Sequence, residues 1–201
     1  MDMSEQNEPR YELAQGIYKD ADWLRGLVEN ILSLTRLQDG RLTLHKQMEP
    51  VEEVIGAALN VIAKRAPERE ITVDIPDEIV MVPMDAGLIE QVLTNLLDNA
   101  IKHTQVQDEI IVAFRKDEQS GQAVFTVSDH GTGISEEDLP KIFEMFYTTK
   151  GSGPDARRGI GLGLAICESI IRAHGGTITA SNQKTGTGAV FEFTLPLEES
   201  E

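Results

Sequence analysis

The chain has 201 residues, 40% hydrophobic and only 5% aromatic, a size and composition for one globular, soluble domain plus an appendage, with a core of Leu, Ile and Val. Lys and Arg number 18 against 34 Asp and Glu, and the resulting charge of −16 disfavours a nucleic-acid groove or an anionic membrane surface as partner. No apolar run approaches membrane-spanning length, no signal-peptide pattern opens the chain, and the lone Cys167 cannot form an internal disulfide and reads as a small core side chain.

Residues 1–9 are polar and acidic and read as a disordered tail or expression remnant. Residues 10–40 read as one long helix. Ile17, Leu24 and Ile31 recur every seven positions, as do Ala21, Val28 and Thr35, which makes a coiled-coil-like seam. Leu27 and Leu34 widen the apolar face, and Asp39-Gly40 ends it. Such a long stripe at a terminus points to half of a helical bundle completed by another chain or by further sequence; the alternative is a helix lying on its own domain.

From residue 41 to 197 short strand and helix patterns follow one another. Leu42 to Met48 alternates as a strand, and Pro50 precedes a helix over Val51 to Ala63 that Pro67 stops. Ile71 to Ile75 and Ile79 to Val82 are short strands around a Pro76-Asp77 turn. Asp85 is placed to N-cap a helix running to about Lys102. Ile110 to Arg115 and Ala123 to Val127 form a hairpin. Gly161 to His174 is helical and ends at Gly175-Gly176. Thr177 to Ser181 and Ala189 to Leu195 make a last hairpin, and 198–201 is a tail. Helices clustered between paired strands predict an α/β fold: a two-layer α/β sandwich, one mixed sheet covered by helices on one face.

Three stretches carry chemistry. Asp129-His-Gly-Thr-Gly-Ile134 follows a strand, and Gly131 and Gly133 allow close backbone approach to a ligand, so the Asp129 carboxylate can point into a pocket. Gly159-Ile-Gly-Leu-Gly-Leu164 opens a helix, whose free N–H groups favour phosphate. Between them, residues 135–158 form a polar, glycine-dotted flap. On the helix ending at Lys102, Asn95, Asn99 and Lys102 share one face at i, i+4 and i+7. Two asparagines on one stripe of a leucine-rich helix need a reason, since Asn is a poor helix former. A Mg²⁺ ion shared with phosphates supplies it through one amide oxygen, with Lys102 neutralising charge. Neither a P-loop nor the Gly-x-Gly-x-x-Gly dinucleotide pattern nor a serine/threonine kinase motif set occurs.

Asn95 to Thr104, Asp129 to Ile134, Ile142 to Tyr147 and Gly159 to Leu164 resemble, in order, the N, G1, F and G2 boxes of bacterial sensor histidine kinases. The resemblance spans about Leu42 to Leu197 and, within the family, is similar to the potassium-responsive Kdp-type sensors. It implies the Bergerat-type ATP-binding fold shared with gyrase, Hsp90 and MutL, with ATP and Mg²⁺ bound. It implies Asn99 as metal ligand, Asn95, Lys102 and His103 towards phosphates, and Asp129 accepting the adenine amino group. Gly131, Gly133 and Ile134 would shape the adenine turn, Phe143 the F box, and Gly159, Gly161, Leu162, Gly163 and Leu164 the phosphate end.

The same resemblance implies that the first helix is a truncated dimerisation and phosphoacceptor helix. The full-length protein would then be a homodimer that relays phosphate to a response regulator. Its catalytic domain would lie in the cytoplasm, with any membrane anchor in upstream segments. None of His45, His103, His130 or His174 has the setting of the family's acceptor histidine, so the chain alone is not expected to autophosphorylate. Thr148 stands where the flap often holds arginine; Lys150, Arg157 or Arg158 would replace that charge. Two other classes stay open: a gyrase/Hsp90/MutL-type ATPase, with Asp98 or Glu90 activating water, and a non-catalytic nucleotide sensor.

Overall fold

The computed structural model describes residues 44–148 and 161–198, together with Gly16, Ile17, Ala21 and Val28. Of the long helix expected over 10–40 only these four residues are described, each helical; the rest of it and the domain boundary at its end lie outside the described residues, as do Lys150, Arg157, Arg158 and Gly159.

Within residues 44–148 and 161–198 the elements follow in chain order: β1 (Gln47–Pro50), α1 (Val51–Arg65), β2 (Ile71–Asp74), β3 (Met81–Met84), α2 (Ala86–Lys102), β4 (Ile110–Asp117), β5 (Gln122–Asp129), α3 (Gly163–Ala173), β6 (Ile178–Asn182) and β7 (Ala189–Pro196). A five-stranded sheet has the order β2-β4-β5-β7-β6, with β2 parallel to β4 and every other pair antiparallel. The sheet is therefore mixed, as the pattern predicts. Alternate residues of β4, β5 and β7 face the helical layer, and in register they stack Phe114, Phe125 and Phe193 in one row. Phe125 lies parallel to Phe193 with centroids 4.7 Å apart and tilts against Phe114 at 4.9 Å. Burying each ring stabilises the fold by about 2 kcal/mol.

Some strand details differ from the sequence reading: β3 is Met81–Met84, two residues later than the expected Ile79 to Val82, because its pairing with Gln47–Pro50 sets its bounds. The first strand is Gln47–Pro50, not Leu42 to Met48, because it is set by antiparallel pairing with Met81–Met84 rather than by its own alternation. That pair forms a separate two-stranded ribbon, so β2 and β3, on either side of the Pro76-Asp77 turn, go to different sheets. The ribbon turns Val82 and Met84 into the core beside α2, whose Ile89, Val92, Leu93, Leu96, Leu97 and Ala100 are buried. α2 starts where expected: the Asp85 carboxylate accepts from the Leu88 N–H at 3.3 Å. α3 also ends as expected. Gly176 N–H donates to the Ile171 carbonyl and Gly175 N–H to that of Arg172, both at 2.9 Å, a Schellman closure.

Candidate active site

Asp129 is the last residue of β5, and the strand's alternation puts its side chain on the helix-covered face, where it is 3% exposed. Its Oδ1 accepts from the backbone N–H of Gly131 at 2.9 Å and from that of Ala189 at 3.2 Å. Among the described residues no hydrogen bond falls on Oδ2. The carboxylate is thus held in one orientation by one oxygen and offers acceptor lone pairs on the other.

The turn that follows lies against the end of α2. A Cβ on Gly131 would sit 2.3 Å from the carbonyl oxygen of His103, so no larger residue fits between the two backbones. His103 closes α2 with its N–H on the carbonyls of Asn99 and Ala100. The Asp129 turn and the Asn95 to Thr104 stretch, 25 or more positions apart in sequence, are therefore in contact.

The same helix meets the start of α3. A Cβ on Gly163 would fall 3.9 Å from the amide carbon of Asn95. The Asn95 Nδ2, screened from solvent, has no hydrogen-bond partner among the described residues. Cys167 lies one turn into α3, its thiol pushed up to about 12 by burial, against which the neighbouring Asn95 amide acts. Such a thiol stays protonated and inert, as the core reading expects. One turn along α2, Asn99 is half-buried and Lys102 exposed. Asp98 is turned to α1, where it pairs with Arg65 at 2.9 Å.

The base of the flap is pinned. Ile142 enters the core, and Phe143, half-buried, packs against it. Phe146 takes a left-handed φ of 65°, is 67% exposed, and donates its N–H to the Gly161 carbonyl at 2.8 Å. Gly161 has a φ of +69°, and a Cβ there would meet the Tyr147 carbonyl oxygen at 2.3 Å. Beyond it Leu162 is buried, Leu164 packs against the core, no side chain among the described residues caps α3, and its first turn holds no acid. The N–H groups of that turn remain available to an anion.

Residues 84–199 match the family described as "Histidine kinase-, DNA gyrase B-, and HSP90-like ATPase". The chain belongs to that family. Over 189 residues this ATPase-family domain is 45% identical to the sensor protein KdpD of Clostridium acetobutylicum, covering 94% of the chain and 21% of KdpD. It spans about a fifth of the length of the KdpD relatives it matches. The likeness to Kdp-type sensors read from the motifs is thus supported. Among solved structures, full-length ShkA in complex with AMPPNP superposes with a TM-score of 0.78 at 26% identity, over 94% of this chain and 39% of ShkA. The histidine kinase ThkA, solved in complex with the response regulator protein TrrA, gives 0.67 at 26% identity, over 87% and 49%.

Three residues that bind the site of this ATPase-family domain together escape a motif reading. Asn182 and Gln183, at the end of β6, bond to the backbone of Ile134 and Asp129. Arg69, between α1 and β2, reaches Thr104 and the carbonyls of Gln105 and Asp108 just past α2. Asn182 closes β6, and Gln183 and Arg69 lie in polar segments between elements, where the sequence carries no periodic signal. His130, next to Asp129 in the chain, is exposed, with a ring nitrogen 3.4 Å from the Glu109 carbonyl.

Proposed function

We propose that this chain is the ATP-binding catalytic domain of a Kdp-type sensor histidine kinase. It transfers the γ-phosphoryl of ATP to an imidazole on a dimerisation helix, for relay to a response regulator. The observation that carries the reading is Asp129, a buried carboxylate with one oxygen fixed by two backbone N–H groups and the other left as acceptor for the adenine amino group. Gly131, Gly133 and Ile134 form the adenine turn; Asn95, Lys102, His103 and the α3 start, Gly161 to Leu164, take the phosphates.

Asn99 offers a neutral amide oxygen, a ligand type Mg²⁺ accepts beside water and phosphate oxygens. Among the described residues no three of His, Cys, Asp and Glu gather into a cage, so this donor set fits an ion shared with the nucleotide. Bound Mg²⁺ neutralises phosphate charge. The protein's own part is to hold the triphosphate still while an imidazole nitrogen forms the N–P bond and ADP leaves with the electron pair of the broken P–O bond. Asp98, one candidate water-activating carboxylate of the ATPase reading, is paired with Arg65 of α1.

The Ile17/Leu24/Ile31 seam would join two chains, and the domain would work in the cytoplasm with its anchor upstream. Among the described residues no helix is long and apolar enough to cross a membrane. His174 cannot be the phosphate acceptor in this fold, because it is 1% exposed with both ring nitrogens hydrogen-bonded. The test is incubation with γ-labelled ATP. Alone, the chain should gain no acid-labile, base-stable label; given a longer homologous chain with the acceptor helix and a disabled adenine carboxylate, it should label that partner. Label on any of its own four histidines defeats the assignment of the acceptor to another segment.

A further inference from the structure

We propose that Asn182 and Gln183 are positioning residues for adenine selection, setting together where the Asp129 carboxylate points. The inference rests on Asp129 being the adenine acceptor. The β5–β7 ladder has its last register pair at Ser128 and Val190, so the chain beyond it needs other anchors. Three bonds from the β6–β7 hairpin supply them. Gln183 Nε2 donates to the Asp129 carbonyl at 2.7 Å, at the start of the turn. At its end, Asn182 closes on Ile134 from both sides: Oδ1 accepts from the Ile134 N–H and Nδ2 donates to the Ile134 carbonyl, each at 2.7 Å. Between them Ala189 N–H holds Asp129 Oδ1 at 3.2 Å. Gln183 N–H in turn donates to the Gly188 carbonyl at 3.0 Å, tying the residue before Ala189 into the same frame.

Two consecutive amides thus grip the first and last residues of the turn that carries the adenine carboxylate. The Asn182 amide meets both backbone groups of Ile134 at once because it carries an acceptor and a donor on two separate atoms. Asn182 is exposed and contributes nothing to the apolar core, so its bonds bear on turn geometry rather than on the fold. Loosening either end lets the Oδ2 acceptor drift, and a displacement well under 1 Å already degrades a hydrogen bond to a rigid base.

The discriminating ligand pair is ADP and IDP, since IDP carries a carbonyl where adenine carries its amino group. Calorimetric affinities of both are measured for the parent chain, Asn182→Ala and Gln183→Ala, with thermal melts alongside. The parent should prefer ADP. Each variant should lose about tenfold of that preference, the order of one hydrogen bond, through weaker ADP binding at unchanged IDP affinity and near-parental melting. If the parent prefers ADP and the folded variants keep the full preference, or lose ADP and IDP equally, the positioning role is wrong. A parent with no preference overturns the Asp129 reading itself. Either variant suffices, should the other fail to fold.

Discussion

The Nε2 of His174 accepts a hydrogen bond from the backbone N–H of Asp85 at 3.1 Å, and this fixes the tautomer of a buried imidazole. Its Nδ1–H therefore donates to the Ile170 carbonyl at 2.8 Å. Asp85 caps α2 and accepts from the His45 N–H at 3.1 Å, while Lys46 Nζ donates to the His174 carbonyl at the same distance. The end of α3 is thereby fastened to the start of α2, the helix that carries Asn95 and Asn99.

A pH dependence of stability follows. Burial holds the His174 imidazole below its usual value of 6.5, with the Lys46 charge acting the same way and the Ile170 carbonyl and Asp85 opposing. Because the folded value is depressed, the unfolded chain takes the proton first as pH falls. Stability from this group is complete above about pH 6.5 and declines below it, through the window down to the folded value. His174→Gln should cost about 1–3 kcal/mol at pH 8, by disturbing the bond to the Asp85 N–H, and should flatten the fall of Tm below about pH 6.5. Parallel Tm–pH curves for parent and variant would acquit His174.

Asp129→Asn tests the adenine contact more directly. The carboxylate is acceptor-only, whereas the amide can turn a donor towards the adenine amino group or towards the N–H groups of Gly131 and Ala189. The expected loss is about 1–3 kcal/mol in ADP binding, a ten- to hundredfold change. Calorimetry showing equal ADP affinity in parent and variant removes Asp129 from the base pocket.

Asn99→Ala separates metal from base. Asn99 is half-buried on α2, one turn from Asn95, and its oxygen is the only part the proposed Mg²⁺ role uses. The variant should bind ADP without Mg²⁺ as the parent does but gain little when Mg²⁺ is added, whereas the parent gains about tenfold or more. Equal Mg²⁺ enhancement in both assigns the metal elsewhere.

Local chemistry in the sequence determined the elements and the four motif segments. Asp85 as cap, Gly175-Gly176 as terminator, the alternation of β4, β5 and β7 and the helical periodicity of α2 and α3 are written within a few residues of where they act. The order of the motifs around Asn99, Asp129, Phe143 and Gly163 was readable for the same reason. What only the tertiary structure decided depends on partners far along the chain. The first strand moved to Gln47–Pro50 because Met81–Met84 pairs with it, and that pairing split a ribbon from the main sheet. The distant contacts that hold the turn from Asp129 to Ile134 come from Asn182, Gln183 and Ala189, more than 45 positions away. A side-chain amide or backbone N–H has no periodicity to read, and its partner is chosen only when the strands close into register.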